Sequence, residues 1–310
     1  MPFSSVRQSR QDNVCLFLGQ QFLRQQWIRL HFQSKVSRKR GVEMNEGFDP
    51  DVVTAYERDT WNRCADDYAD TFAGITGETV PLLIESAGIG AGSQVLEIGS
   101  GPGHVADMLV QAGASVTGVD FSANMVDVAQ SSFPGIIFQQ ADAEELPFEA
   151  ESFDAVVANF VVHHLARPET VFREINRVLK PGGRFVFAVW GAPEEQSSIG
   201  AFFGAVMAHH DMDELPHGPL FGVTERSVYE PLLTQADLQD CQLSIHEMIW
   251  KADSLEPVLK GFWDWGDMAA LPAETQANIK ETTRDNSKAY EKDGRYAFPH
   301  AILFGRASKA

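Results

Sequence analysis

The strongest constraint on the fold of this 310-residue chain is an alternation that runs from Gln94 to Trp190. SQVLEIG, SVTGVD, GIIFQQAD, SFDAVVAN and RFVFAVW are short apolar runs with little polar alternation. Runs of that kind are strands covered on both faces. Helical periodicity fills the gaps. HVADMLVQAG places Val105, Met108, Leu109 and Ala112 on one face and stops at Gly113. SANMVDVAQ opens on Ser122 as an N-cap. PETVFREINRVLK carries Pro168 in its first turn and turns Val171, Phe172, Ile175, Val178 and Leu179 inward. A β-α-β-α order predicts an α/β fold with a doubly wound, mostly parallel sheet. Such sheets bind ligands at the carboxyl ends of their strands, near the switch point. Here those ends are the Gly99–Gly103 loop, Asp120, Asp142 and Asn159. Asp or Asn alone makes turns and caps; together at one sheet edge they predict a site.

The loop itself, VLEIGSGPGHVA from Val95 to Ala106, argues against a dinucleotide. That fingerprint is G-x-G-x-x-G with an acid about 20 residues on. Here Gly103 comes one residue early, Pro102 precedes it, and Glu97 lies two residues before Gly99. A pyrophosphate seeks backbone donors and positive charge, and a carboxylate repels it. A cationic or zwitterionic ligand without phosphate suits the loop better. S-adenosylmethionine (SAM) has a sulfonium, an ammonium, a carboxylate, a ribose diol and an adenine, and fits that description.

Four pieces in order, VLEIGSGPG, VTGVDFSANM, FQQADAEELPFEAESFDAVVANFVVHHL and FREINRVLKPGGRFVFAVW, resemble the class I SAM-dependent methyltransferases. The branch they are most similar to is that of the ubiquinone/menaquinone-biosynthesis methyltransferases (the methyltransferase type 11 domain). They cover about a third of the chain. The resemblance implies a Rossmann-like, mostly parallel seven-stranded sheet with an antiparallel last strand, plus a helical lid and insertions. It also implies roles. Gly99, Ser100, Gly101 and Gly103 form the loop at the amino-acid end of SAM, with glycine backbone approaching where a side chain would clash. Glu97 lies near the ammonium or sulfonium. Asp120 accepts both ribose hydroxyls, as an ionised carboxylate can. Phe121, Ser122 and Met125 lie on the adenine side, Asp142 and Ala143 at the adenine edge, and Asn159 on the methyl side. Removing the Asp120 carboxylate is expected to weaken SAM binding and to leave the empty protein's stability little changed.

Methyl transfer from SAM needs positioning and exclusion of water, and a base only when the acceptor carries a proton. His163 and His164, just past strand four, are weak candidates, with packing or hydrogen-bonding roles the competing reading. His209, His210 and His217 with Asp211, Asp213 and Glu214 have irregular spacing, which favours a solvated loop over a metal site; no metal is expected. His300 has no obvious partner. The stretch from Asp51 puts Trp61, Cys64, Ala65, Tyr68 and Phe72 on one helical stripe. That helix, which also carries Tyr56 and Arg63, is the expected lid, with Tyr68 facing the cofactor. Trp61 reads equally as lid or core. A second helix runs from about Val80 to Ala87. After strand five, IGAFFGAVMAHH and SVYEPLLTQADL read as helices, QLSIHEMIWKA as strand six, and YAFPHAILFGRA as the last strand. LEPVLKGFWDWGDMAAL reads as a helical insertion whose Phe262, Trp263 and Trp265 suit either an apolar or aromatic small-molecule acceptor or a satellite core.

Composition limits the alternatives. The net charge of −18 weighs against nucleic acid as a partner, as does the lack of an Asn-Pro-Pro-Tyr-type motif after strand four. No window approaches the roughly 18 apolar residues of a membrane span. Cys15, Cys64 and Cys241 form neither a metal spacing nor a disulfide framework, which favours a reducing, cytoplasmic setting. Residues 1–43 carry eight basic and two acidic residues, +6, leaving −24 on the rest. They stand outside the alternating pattern. They read as a disordered or weakly helical tail or a leader upstream of Met44, as a mitochondrial transit peptide, or, through FLRQQWIRLHF, as an amphipathic membrane-surface helix. Residues 44–310 are the expected methyltransferase domain, with the SAM-binding core at about 80–192 and the substrate side in 193–310. The rivals are an NAD-dependent oxidoreductase on a similar sheet and a non-catalytic SAM-fold binding protein.

Overall fold

A computed structural model describes residues 48–192, 196–210 and 216–310, and the compact body spans Asp49–Ala310. The readings of residues 1–43, Cys15, and Asp211, Asp213 and Glu214 fall outside the described residues.

The strands are β1 (Gln94–Ile98), β2 (Ser115–Asp120), β3 (Ile137–Gln140), β4 (Phe153–Asn159), β5 (Leu179–Trp190), β6 (Leu238–Ala252), β7 (Glu291–Lys292) and β8 (Arg295–Lys309). They form one sheet in the order β3-β2-β1-β4-β5-β8-β6, with β7 paired to β8. The expected seven-stranded path is present, and the two-residue β7 makes an eighth strand. β1 to β5 pair in parallel, and β8 runs antiparallel to both β5 and β6. The order reverses at β1, between β2 and β4, which sets the switch point at the carboxyl end of β1.

Neighbouring residues along a strand serve opposite faces of the sheet. Leu96, Val156, Phe185 and Phe187 join a core with Phe172 and Ile175, whereas Val95, Val157 and Val186 join a second core with Val105 and Leu109. Apolar side chains are therefore needed on both faces of these strands at most central positions, and that is why they read with little polar alternation. One irregularity departs from the sequence reading. The Pro-Gly-Gly expected to turn the chain into strand five lies inside β5. Phe153 pairs with Leu179 and Ala155 with Arg184, so the residues between bulge out of register, with Gly182 at φ 76°.

Ten α-helices lie among the described residues: α1 (Pro50–Thr71), α2 (Ala73–Gly77), α3 (Val80–Ala87), α4 (His104–Gln111), α5 (Ala123–Ser132), α6 (Pro168–Val178), α7 (Ser197–His209), α8 (Arg226–Gln235), α9 (Glu256–Trp265) and α10 (Ala273–Ser287). Asp49 caps α1 by accepting the Asp51 N–H, and Pro50 opens it. α1 packs against α5 and α9. A satellite core of Ile75, Phe202, Trp250, Phe262 and Phe298 ties α2, α7 and α9 to the far end of β6 and β8. Among the described residues no helix is long and apolar enough to cross a membrane.

Candidate functional site

At the carboxyl ends of β1, β2 and β4 lies an open cleft lined by Gly99 and Gly101 of the glycine loop, by Asp120, Phe121 and Met125, by Ala141 to Glu144, by Asn159 to Val161 and by α1. Of the predicted site residues, Tyr68, Gly99, Gly101, Asp120, Phe121, Met125, Asp142, Ala143 and Asn159 line it. Glu97, Ser100, Gly103 and Ser122 do not; they are buried beneath it.

The glycines differ in what requires them. A Cβ at Gly99 would stand 2.2 Å from Val161 Cγ2, and one at Gly103 2.7 Å from Phe138 Cζ. Packing within the protein forbids side chains there. Only at Gly101, which lines the cleft at φ 50°, does an added Cβ meet nothing within 4 Å. The expectation that all three make room for a ligand is thus narrowed to Gly101.

Asp120 is 6% exposed and already holds two backbone donors: Gly101 N–H to Oδ2 and Ser122 N–H to Oδ1, both at 2.9 Å. It fastens the glycine loop to the start of α5 while keeping lone pairs for a ligand. Burial outweighs these bonds and pushes its pKa up to about 6. Glu97 is buried with Oε2 unpartnered. Burial first, and the Asp120 charge second, hold its carboxyl well above the usual range. Burial likewise pushes the Tyr68 hydroxyl up to about 12. The Asn159 amide is committed to structure: its Oδ1 accepts from the Thr79 hydroxyl at 2.7 Å, and its Nδ2 donates to the Thr76 carbonyl at 2.9 Å. Ser122 caps α5 through the Met125 N–H and donates to Asn62 Oδ1 at 2.7 Å, latching α1 to this corner. Asp142 Oδ1 accepts the Glu144 N–H.

The lining side chains include four carboxylates, Glu57, Asp120, Asp142 and Glu144, and no lysine or arginine. Arg58 lies 3.9 Å from Asp142 and over the Phe121 ring at 5.6 Å, and Arg167 bonds Glu144 and Asp51. A pyrophosphate would face four carboxylates, two of them paired with arginine. A sulfonium, an ammonium and a ribose diol would meet acceptors, and Gly101 leaves the backbone open to them. The residues fit SAM.

A second cavity adjoins the first and shares Trp61, Tyr68, Phe160 and His164 with it. Its other walls are Phe72, Thr76, His163, Trp190, Ile199, Phe203, Phe221, Phe262 and Trp265. Among the described residues no Asp, Glu, Lys or Arg lines it. The insertion aromatics divide: Phe262 serves both core and cavity wall, Trp265 lines the cavity, and Trp263 packs on the satellite core with Lys280 over its ring at 4.4 Å. Trp61 is wall rather than core, with its Nε1 donating to Glu57 Oε2 at 3.0 Å. The two adjacent histidines also part. His163 is 3% exposed, and burial, with the His164 charge, holds its pKa well below the ordinary value. His164 Nδ1 sits 3.0 Å from Glu57 Oε1.

Glu57 and Asn62 escaped the sequence reading. Glu57 stands four residues before Trp61 on the stripe Trp61, Cys64, Ala65, Tyr68, Phe72; an acid interrupting an apolar stripe was the available signal. His300, expected to lack a partner, is buried between Gln196 Oε1 at 2.8 Å and Ser198 Oγ at 3.0 Å. His209 bonds Thr282, and no cluster of metal-binding side chains occurs among the described residues. Cys64 and Cys241 are free thiols.

The fold and site define a class of Rossmann-like proteins with an acidic cleft at the switch point of the sheet. Residues 96–187 match the methyltransferase domain family. The uncharacterized methyltransferase YcgJ of Bacillus subtilis is 36% identical over 140 residues, covering 44% of this chain and 55% of the relative. A demethylmenaquinone methyltransferase of Renibacterium salmoninarum is 36% identical over 112 residues, covering 36% and 47%. The chain spans about half the length of the curated relatives it matches. The solved structure of YcgJ, 24% identical, covers 75% of this chain and 98% of that one with a TM-score of 0.53, and shares the fold. Residues 96–187 are thus similar to the methyltransferase domain family, and the fold is the one the YcgJ structure shows.

Proposed function

We propose that this chain transfers a methyl group from SAM to a small apolar or aromatic acceptor held in the second cavity. The carrying observation is that this uncharged, aromatic-walled cavity shares a wall with the acidic cleft. Asp120 takes the ribose diol. Phe121, Met125, Asp142 and Ala143 take the adenine, with Ser122 capping the helix behind them. Gly101 opens backbone to the amino-acid end, while Glu97, Ser100 and Gly103 shape the loop from below. Tyr68 and Asn159 close the methyl side. The SAM-binding core covers about residues 80–192, and residues 193–310 supply much of the acceptor wall.

SAM when bound supplies a methyl group already activated by its sulfonium. The protein's part is to bring an acceptor into line and keep water out. Trp61, Tyr68 and Phe160 sit between the two cavities and do both. An NAD-dependent oxidoreductase is disfavoured by the four carboxylates that line the cleft, which would repel a pyrophosphate. A non-catalytic binding protein would have no use for the adjoining cavity.

Calorimetry tests the donor: SAM and S-adenosylhomocysteine bind and NAD does not, and tight NAD binding without a response to SAM refutes the reading. Incubation with methyl-labelled SAM and small-molecule extracts, with mass analysis of the labelled product, tests the acceptor. Label appearing only in protein or nucleic acid refutes the acceptor class.

A further inference from the structure

We infer that His164 is the base that deprotonates the acceptor, that Glu57 is its positioning residue, and that the acceptor accordingly carries an aromatic O–H of the phenol type. The inference rests on the SAM and second-cavity reading above and adds the proton chemistry to it.

Glu57, from the middle of α1, is 4% exposed, and both its oxygens are used. Oε1 faces His164 Nδ1 and Oε2 accepts from Trp61 Nε1, each at 3.0 Å. An ionised carboxylate only accepts, so Nδ1 carries the hydrogen and the lone pair of the neutral ring lies on Nε2. The ring is held by Trp61 in an edge contact at 5.2 Å and by His163 at 4.1 Å. The His164 side chain is 14% exposed and lines both cavities. It therefore stands at the shared wall, where donor and acceptor meet. His163 is buried and lines only the second cavity.

The second cavity makes the base necessary. Apart from the two histidines its polar side chains among the described residues are Tyr68, Thr76 and the indole N–H groups of Trp61, Trp190 and Trp265. None of these carries a positive charge to balance a phenolate, whose charge is disfavoured in apolar surroundings. Transfer of the O–H proton to Nε2 creates an imidazolium beside the phenolate, with Glu57 behind it. The freed oxygen lone pair then forms the bond to the methyl carbon as the carbon–sulfur bond breaks, its electron pair staying on the neutral sulfide. The imidazolium returns its proton to solvent. Besides Glu57 and His163, the titratable groups facing His164 are Tyr68 across the shared wall and Asp120, Asp142 and Glu144 across the cleft.

The test is spectroscopic and needs no turnover. The full chain, saturated with S-adenosylhomocysteine, is titrated with para-nitrophenol at a pH about one unit below the phenol's own pKa, and the visible phenolate band is read. In the parent protein the bound phenol is ionised, its phenolate-to-phenol ratio raised at least about tenfold over the free compound, the equivalent of one pKa unit. His164→Gln still binds phenol and S-adenosylhomocysteine but loses the rise. Glu57→Gln, which no longer fixes the tautomer, loses most of it, and carries the comparison should His164→Gln not fold. A bound phenol that stays neutral in the parent, ionisation that survives in His164→Gln, or no phenol binding overturns the inference. Failure to bind S-adenosylhomocysteine is a different result and overturns the SAM reading beneath it.

Discussion

Replacing Asp120 by Ala separates the cost this carboxylate imposes on the empty protein from its value to SAM. In the empty protein two effects oppose. The rise in pKa from 3.8 to about 6 means that the ionised form carries a penalty of about 3 kcal/mol at pH 7, which the substitution removes. It also strips the acceptor from the Gly101 and Ser122 N–H groups, at about 1–3 kcal/mol for each one left unpaired. The first is about 3 and the second about 2–6 kcal/mol in total, so the empty variant should stay within about 3 kcal/mol of the parent. The small change expected from sequence then arises from cancellation, since the carboxylate has real partners to lose. For SAM nothing cancels: two charge-assisted bonds to the ribose go, and affinity should fall roughly 10- to 1,000-fold.

The pH dependence carries the same logic with opposite signs. A carboxyl whose folded pKa is raised contributes stability that is fully present below 3.8 and lost as pH rises through about 6. SAM needs the ionised form, so its affinity should rise over the same window and level off above it. At pH 5 about a tenth of the sites are ionised, and apparent affinity should be about tenfold weaker than at the plateau. Calorimetry from pH 5 to about 8, with melting curves of the empty protein, reads both trends. In Asp120→Ala the contribution of this group to each should vanish. A variant that binds SAM like the parent, or keeps the parent's pH profile, refutes the assignment of the ribose to Asp120.

Gly99→Ala drives a Cβ into Val161 and should destabilise the fold by about 3 kcal/mol through overpacking and left-handed backbone strain, read by chemical denaturation. Gly101→Ala meets no protein atom, so it should cost the fold only about 1 kcal/mol of backbone strain while weakening SAM; equal effects of the two on stability would show that the loop's geometry is misassigned. Asn62→Ala removes the Oδ1 that accepts from the Ser122 hydroxyl and the Asn124 N–H, leaving the Asn62 carbonyl bond to the Asn124 side chain in place, and SAM dissociation measured by stopped flow should quicken by about five- to thirtyfold, from about 1–2 kcal/mol of lost hydrogen bonding. A chain beginning at Met44 retains Asp49 and all of α1 and should bind SAM as the full chain does; loss of binding in calorimetry would place part of the first 43 residues in the site.

What the sequence made legible follows a physical divide. β1 to β5 and the helices between them, with the glycine loop and Asp120, were readable because each rests on local signals: apolar runs, caps and turn residues. Contacts between distant segments were not. That Gly99 and Gly103 are required by Val161 and Phe138 appears only once β4 and β3 lie beside β1 and α4. The Pro-Gly-Gly after α6 has strong turn chemistry, yet pairing with β4 resumes beyond it and absorbs it into β5. Helix α10, AETQANIKETTRDNS, buries only Ile279, Thr283 and Ser287, too little apolar surface to announce a helix by periodicity.

Helix α1 shows why the acceptor side was the harder part. Its stripe of Trp61, Cys64, Ala65, Tyr68 and Phe72 reads as a packing face, and Cys64 and Ala65 are indeed buried. Polar contacts, however, set where that face lies. Asn62 holds the helix to Ser122 at the ribose corner, Glu57 to His164 at the wall between the cavities, and Asp67 to Lys260 on α9. These partners come from three separate parts of the chain. Trp61 and Tyr68 thereby line both cavities, so one helix forms part of the acidic cleft and part of the aromatic cavity beside it. Substitutions on this face should disturb both substrates together, whereas changes at Phe203 on α7 or Trp265 on α9, which line the second cavity and not the first, should move acceptor binding alone.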